Sequence, residues 1–367
     1  MKDEAEAGQV EESSPEATKN IRSEFDFINS IRHRSPRHRQ TTKSPPAADL
    51  LTGIGDDAAI IRETDGRNTL ITSDLLIEDI DFHRDTTTPR SLGHKALAVS
   101  LSDIAGMGAR PRWALLSLGI PNDIWNSDFV DEFYEGFFAL ADRYDVSLIG
   151  GDISRSPEKL VVDSIVLGQS DHGRAVTRGG TKPGDQIFVT GSLGGSAAGL
   201  RLLTRGARLH SKHTSEDQID PDSKAIDHLI LRHIRPEPRV GWGLVLGLEN
   251  LATAMIDISD GLSSDLHHLC AESKAGALVQ AARIPIDPTV AEICGRRALD
   301  PLLLALHGGE DFELLFTVAP EKVALLPKKV DGVAITHIGE IQNTSAGVQL
   351  AEGARIWKLE PEGWQHF

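Results

Sequence analysis

The chain has 367 residues, and 38 Lys and Arg against 54 Asp and Glu leave 38 − 54 = −16 at pH 7 with His neutral. That length suggests two domains, and 40% hydrophobic with 25% charged residues is globular composition, which excludes disorder of the chain as a whole. A charge of −16 argues against broad binding to nucleic acid or an anionic membrane; two cysteines outside any C-x-x-C pair, Cys270 and Cys294, exclude a disulfide framework and fit a reducing cytoplasm.

Residues 1–22 are acidic and nearly free of large apolar side chains, which predicts a disordered tail. No apolar leader and no run of about 18 apolar residues occurs, so neither secretion nor membrane spanning is expected. From Arg32 to Ala48 the chain carries Arg32, Arg34, Arg37, Arg39 and Lys43 with no acid, either an anion-attracting flap or a solvated loop. Strands are predicted at 69–74 and 112–120, and in VSLIGGD and LVVDSIVLGQ. Helices are predicted at 91–108, where Leu92, Ala96, Val99 and Ile104 recur at helical intervals, and at 128–144. After the Gly/Pro-rich TRGGTKPGD (177–185), taken as the domain boundary, the style repeats. QIFVTG is a strand running into GSLGGSAAGL, helices follow near 222–233 and 240–250, ATAMIDIS is a strand, and a helix covers about 261–273. Two late strands, 312–318 and 332–341, have a helix between them.

The acids fall in five short segments read as strand-to-helix junctions: GIGDD (53–57), TSD (72–74), LSD (101–103), GGD (150–152) and IDISDG (256–261). A buried carboxylate costs several kcal/mol unless it is paired or binds a cation. One such junction is only a turn or cap, whereas five with small neighbours point to a shared cation site, for which Mg²⁺ with its oxygen ligands is the natural guest. Other signatures fail. There is no G-x-x-x-x-G-K-[S/T] loop, no G-x-S-x-G elbow, no H-x-x-x-H metal spacing, and the glycines of 190–199 lack the dinucleotide spacing.

Taken in order, GIGDDAAII (53–61), TSDLLIEDIDF (72–82), KALAVSLSDIAGMGARP (95–111), LIGGDISRS (148–156), RGGTKPGDQIFVTG (178–191), IDISDGLSSDLHHL (256–269), GGEDFELLFT (308–317) and the terminal GWQHF (363–367) resemble the thiamine-monophosphate kinase family of the aminoimidazole-ribonucleotide-synthetase-like ATP-binding superfamily. The resemblance implies a two-domain α/β (α+β) fold of mixed sheets covered by helices. An N-terminal domain (23–176) would bind ATP and Mg²⁺ and pair in a homodimer through its sheet, and a C-terminal domain (177–367) would complete the substrate site. It also implies ATP-dependent phosphorylation of thiamine monophosphate to thiamine diphosphate. Matched position by position, Asp57, Thr72, Ser73, Asp74, Asp103, Asp152, Asp257 and Asp260 fall on magnesium ligands. Tyr134, Gly151, Arg178 and Ser259 fall on ATP contacts, and Glu310 and Trp364 on thiamine contacts. Asp103, Asp260 and Arg178 are the expected catalytic set. An indole and a carboxylate suit a flat cationic heterocycle.

One segment departs from the family. Where a Gly and, two residues later, a substrate-contacting His are usual, this chain has Asp79 and Asp81, with Phe82 kept. Either Asp81 or His83 remakes the contact, or substrate preference differs. The chemistry itself needs little covalent help: positioned cations offset the repulsion of two phosphates, and an anionic phosphate oxygen needs no strong base. Direct in-line transfer without a phosphoenzyme is therefore expected. Another ATP-dependent synthetase of the superfamily and a non-catalytic Mg·ATP-binding module remain as alternatives.

Overall fold

The structure is a computed structural model that describes residues 28, 31, 32, 49–210, 221–297 and 299–363; the 1–22 segment, Trp364 and all of 32–48 except Arg32 lie outside the described residues. The strands β1 (Leu50–Thr52), β2 (Ala59–Arg62), β3 (Arg67–Ile77), β4 (Arg110–Ile120), β5 (Ser147–Arg155) and β6 (Val161–Asp171) form one sheet in the spatial order β1-β2-β3-β6-β4-β5. Its pairs are antiparallel except β4 with β5. The strand period of two shows in β6, where Val162, Ser164 and Val166 are buried and Asp163 and Ile165 are half-exposed on the other face.

A second sheet is built from β7 (Gln186–Thr190), β8 (Ala252–Asp257), β9 (Gly276–Gln280), β10 (Leu314–Val318), β11 (Lys329–Val330), β12 (Val333–Gln342), β13 (Val348–Glu352) and β14 (Arg355–Lys358). Its order is β14-β13-β9-β12-β7-β10-β8, with β11 on β12 and the parallel pair β9 with β13.

Helix α1 (Pro89–Gly106) joins the two halves. Thr88 caps it by accepting from the Ser91 N–H, and Pro89 sits where no intrahelical donor is needed. Almost every residue of α1 is buried, because it packs on β3 and β6 and also meets β8. The helices α2 (Asn122–Trp125) and α3 (Phe129–Arg143) follow, and α3 lies so close that a Cβ at Gly93 or Gly136 would overlap the facing backbone carbonyl of Phe133 or Arg90. The remaining helices are α4 (Gly195–Thr204), α5 (Pro221–Ile234), α6 (Val240–Leu248), α7 (Leu262–Ser273), α8 (Pro288–Arg297) and α9 (Pro301–His307). Helix α6 crosses α1 with Gly243 against the Ala105 carbonyl. One apolar core therefore runs from Leu101 and Ile104 to Trp242 and Phe316, while the other face of the second sheet packs Ile256 and Leu315 with Leu262 and Leu266 of α7.

Two expectations need correction. The helix expected between the late strands is a single 3₁₀ stretch, Pro320–Leu325, bounded by Pro320 and followed by Pro327, which disfavours helix at the residue before it. Of the five acidic segments only 256–261 joins a strand to a helix. Asp56 and Asp57 lie between β1 and β2, Asp74 inside β3, Asp103 inside α1 and Asp152 inside β5. In β3 and α1 the apolar pattern continues past the acid as Leu75-Leu76-Ile77 and Ile104-Ala105, so the element continues too.

Candidate active site

Helix α1 brings the scattered carboxylates together. Its Ser100 donates to Asp74 on β3 at 2.6 Å, its Ser102 donates to Asp257 at the end of β8 at 2.6 Å, and its Asp103 accepts from Thr72 on β3. Arg178 closes the group, its Nε donating to Asp57 Oδ1 at 2.7 Å and its backbone N–H to Asp56 Oδ1 at 3.2 Å.

This is an excess of negative charge out of water. Burial, then the neighbouring Asp74, Asp257 and Asp57, push the Asp103 carboxyl well above the usual range. Burial and Asp57 push Asp257 up to about 8. Burial raises Asp74 to about 6 against the Ser100 bond, and burial with Asp57 raises Asp56 to about 7. Asp57 itself is raised by burial, which outweighs Arg178. Its Oδ2 is buried without a hydrogen-bond partner among the described residues, and a Cβ at Gly106 would come within 2.5 Å of it. Among the described residues no three acidic or imidazole side chains close on one point as a finished metal cage. The all-oxygen donor set and the orphaned Asp57 oxygen nonetheless fit a hard divalent cation.

Beside this cluster lies a cavity of about 890 Å³ between the two halves, walled by Asp74, Asp81 and Lys95 on one side and Ser259, Asp260 and Glu310 on the other. Glu310 is held there by its backbone. Its N–H donates to Ser259 O at 2.7 Å and the Phe312 N–H to Ile258 O at 2.9 Å, which puts Glu310 and Phe312 at φ of 63° and 49°. Gly309 is required because a Cβ would meet Ser259 O at 2.7 Å. Glu310 Oε1 pairs with Lys95 Nζ at 2.7 Å and Oε2 with His233 Nδ1 at 3.0 Å. Burial pushes this carboxyl up, but Lys95 and His233 more than offset it and hold it at about 2.

The neighbouring acids anchor the same loop. Asp311 accepts from the Gly194 and Ser196 N–H groups at the start of α4, which gives the Gly-rich 190–199 segment its role, and Glu313 accepts from Arg239, Arg232 and Thr190.

The structure thus gathers Asp57, Thr72, Asp74, Asp103, Asp257 and Arg178 in one group and puts Ser259, Asp260 and Glu310 on the adjoining cavity. Ser73 points to the other face of β3, where its hydroxyl donates to Asp163 at 3.0 Å. Gly151 and Asp152 lie on the exposed strand β5 at the edge of the first sheet, and Tyr134 on α3 stacks on Phe138 at 5.9 Å, away from the cavity wall. Trp364 follows Gly363, which lines the cavity and donates to Ser264 Oγ at 3.0 Å. Asp79 adopts a φ of 72°, the conformation a glycine takes most readily. Asp81 turns its carboxylate back to the Ile77 N–H at 2.8 Å, and His83 lines the cavity 3.2 Å from Asp79.

Asp56 belongs to the GIGDD segment already singled out, whereas Ser100, Ser102, Asp265, Lys95 and His233 are not identified from the sequence. Ser100 and Ser102 stand in the same S-x-S-D run as Asp103, and Lys95 lies on the same helix, so spacing along α1 was the available signal. Asp265, in the first turn of α7, is buried, accepts from the Gly261 N–H at 3.0 Å, and is pushed well up by burial, then by Asp260 and Asp257.

Two family models match the chain: "AIR synthase related protein, N-terminal domain" over residues 55–170 and "AIR synthase related protein, C-terminal domain" over residues 182–350. The thiamine-monophosphate kinase of Bacillus subtilis (strain 168) is 36% identical over 351 residues, 94% of this chain and 99% of that protein. That of Escherichia coli (strain K12) is 37% identical over 87% of this chain and 93% of that protein. A solved structure described as "AaThiL complexed with AMPPCP and TMP" superposes with a TM-score of 0.77 at 33% identity, covering 94% of this chain and 97% of that one. With likeness at this level running through both sheets, the chain belongs to the AIR synthase related family and, within it, to the thiamine-monophosphate kinases.

Proposed function

We propose that the chain transfers the γ-phosphoryl group of ATP to the phosphate of thiamine monophosphate, giving thiamine diphosphate and ADP, in the cavity between its two halves. The observation that carries this reading is the cavity's polarity: a carboxylate cluster that calls for cations meets it through Asp74, and a separately held carboxylate, Glu310, faces it from the other half. Relatives named thiamine-monophosphate kinase at 36% and 37% identity, and a similar structure whose title includes AMPPCP and TMP, support it.

Asp57, Asp74, Asp103 and Asp257, with Thr72 beside them and Asp260 on the adjoining cavity, would hold Mg²⁺. Bound there, Mg²⁺ supplies the positive charge that lets two phosphates approach. Arg178, with Ser259, would orient ATP, and Glu310 with Trp364 the cationic acceptor. The acceptor phosphate is already anionic, so the protein's task is to align donor and acceptor and exclude water, not to remove a proton. Transfer is direct, without a phosphoenzyme.

In this reading residues 23–176 form the nucleotide-binding and dimerising unit, 177–367 complete the substrate site, and 1–22 are a dispensable tail. Strand β5 is an open edge carrying Ile149 at 58% and Ile153 at 50% exposure, which supports pairing with a second copy into a homodimer. No helix among the described residues is long and apolar enough to cross a membrane; a cytoplasmic setting suits an ATP-using enzyme with two free, buried cysteines. The test is ADP release with and without thiamine monophosphate: stimulation by the monophosphate but not by thiamine supports the assignment, and ADP release indifferent to both refutes it.

A further inference from the structure

Glu310 is the charged group that the proposed acceptor site presents, and the structure shows how it is kept in place. A carboxylate has about four acceptor positions. One on each oxygen is taken, Oε1 by Lys95 Nζ at 2.7 Å and Oε2 by His233 Nδ1 at 3.0 Å. Because a carboxylate only accepts, His233 must carry its proton on Nδ1, and Ser196 Oγ, 3.1 Å from the same nitrogen, shares that contact.

Lys95 is itself buried, and an ammonium so placed requires partners; it has Glu310 and, at 3.4 Å, the carbonyl of Asp81. Lys95 comes from α1 and His233 from α5, so the Glu310 side chain, on the loop before β10, is held from two other elements. Lys95 is also eight residues before Asp103 on the same helix. That spacing sets the two at about 12 Å along its axis, Lys95 touching the Glu310 carboxylate and Asp103 lying in the carboxylate cluster.

We propose that Lys95 and His233 are positioning residues that hold the Glu310 carboxylate ionised and in one orientation, leaving its free lone pairs toward the cavity for an acceptor with a positive ring, and that this makes them determinants of acceptor specificity. The inference rests on the proposed kinase activity and on Glu310 as the acceptor contact.

It is tested by steady-state kinetics on the full chain, with ATP and thiamine monophosphate varied separately. The wild type must form thiamine diphosphate; if it does not, the functional reading falls and this inference with it. Given that activity, K95M should raise KM for thiamine monophosphate about 10- to 100-fold, the size of a lost charge-assisted bond, while KM for ATP stays within twofold. K95R should restore most of the loss, and H233N, whose amide N–H replaces Nδ1–H, should outperform H233L.

The decisive arm is K95M in an E310Q background, which removes both charges together and so leaves no unpaired buried ion. There K95M should add nothing to the KM defect of E310Q alone. An equal further loss in that background, or a fall in kcat instead of a rise in KM, would show that Lys95 acts on the phosphates and not through Glu310, and would overturn the proposal while leaving the kinase assignment intact.

Discussion

Ser102, in the buried helix α1, donates a 2.6 Å hydrogen bond to Asp257, at the last position of β8, and so ties the helix that lies on the first sheet to the second. Both residues are buried, and Asp257 is pushed up to about 8 in spite of this bond. Ser102→Ala removes the donor and leaves the Asp257 oxygen unsatisfied. The expected cost is about 1–3 kcal/mol, read as a lower urea midpoint at unchanged m-value, together with a higher Mg²⁺ requirement in the kinase assay.

The raised carboxyls give stability a definite pH dependence. In the cation-free protein Asp74 and Asp257 bind protons up to about 6 and about 8, whereas the unfolded chain releases them near the ordinary carboxylate value of 3.8. Between those limits the native state holds more protons, so their contribution is present at low pH and lost as pH rises through the folded values. The melting temperature without divalent cation should therefore fall from pH 6 to pH 8.5. Added Mg²⁺ should raise it more at pH 8.5 than at pH 6; an equal shift at both would contradict the cluster as the binding site.

Glu313 is fully buried between Arg239 and Arg232, and the charge of these partners holds its carboxyl below the usual range against burial. Glu313→Leu strands the Arg239 guanidinium in the interior and leaves Arg232 with Asp311 and the Ser192 carbonyl. The expected loss is about 3–5 kcal/mol in urea unfolding, with Glu313→Gln closer to wild type because it keeps an acceptor.

Ile153 on the open edge strand β5 is half exposed. Ile153→Asp should convert the proposed homodimer to monomer in light scattering at micromolar concentration, without unfolding it, because the side chain lies outside the buried core. A wild-type protein that is already monomeric would refute the pairing.

Much of the fold is legible in the sequence because the strongly periodic segments are long: the pattern around Leu92, Ala96, Val99 and Ile104 gives α1, and the alternation in 161–171 gives β6. The short strands β1 and β2 and the helix α9 carry too few residues for a period to show. At the site, the acids at 57, 74, 103 and 257 are visible as small-residue motifs, but which of them meet is a property of the packing of α1 between two sheets. Lys95 and His233 were missed for the same reason: they lie 138 positions apart, and only the fold brings them to Glu310. The placement of Ser73 is a local matter of strand alternation, since neighbours of Thr72 and Asp74 face the other way.

The most direct test of the whole account is single-turnover formation of thiamine diphosphate by the purified chain with ATP, Mg²⁺ and thiamine monophosphate, beside Asp103→Asn. The wild type should form product from the monophosphate and not from thiamine, with no phosphorylated protein at any time, and the variant should fall at least about 100-fold, the size of a lost transition-state charge contact. Equal turnover by Asp103→Asn, or label trapped on the protein before acceptor is added, would contradict it.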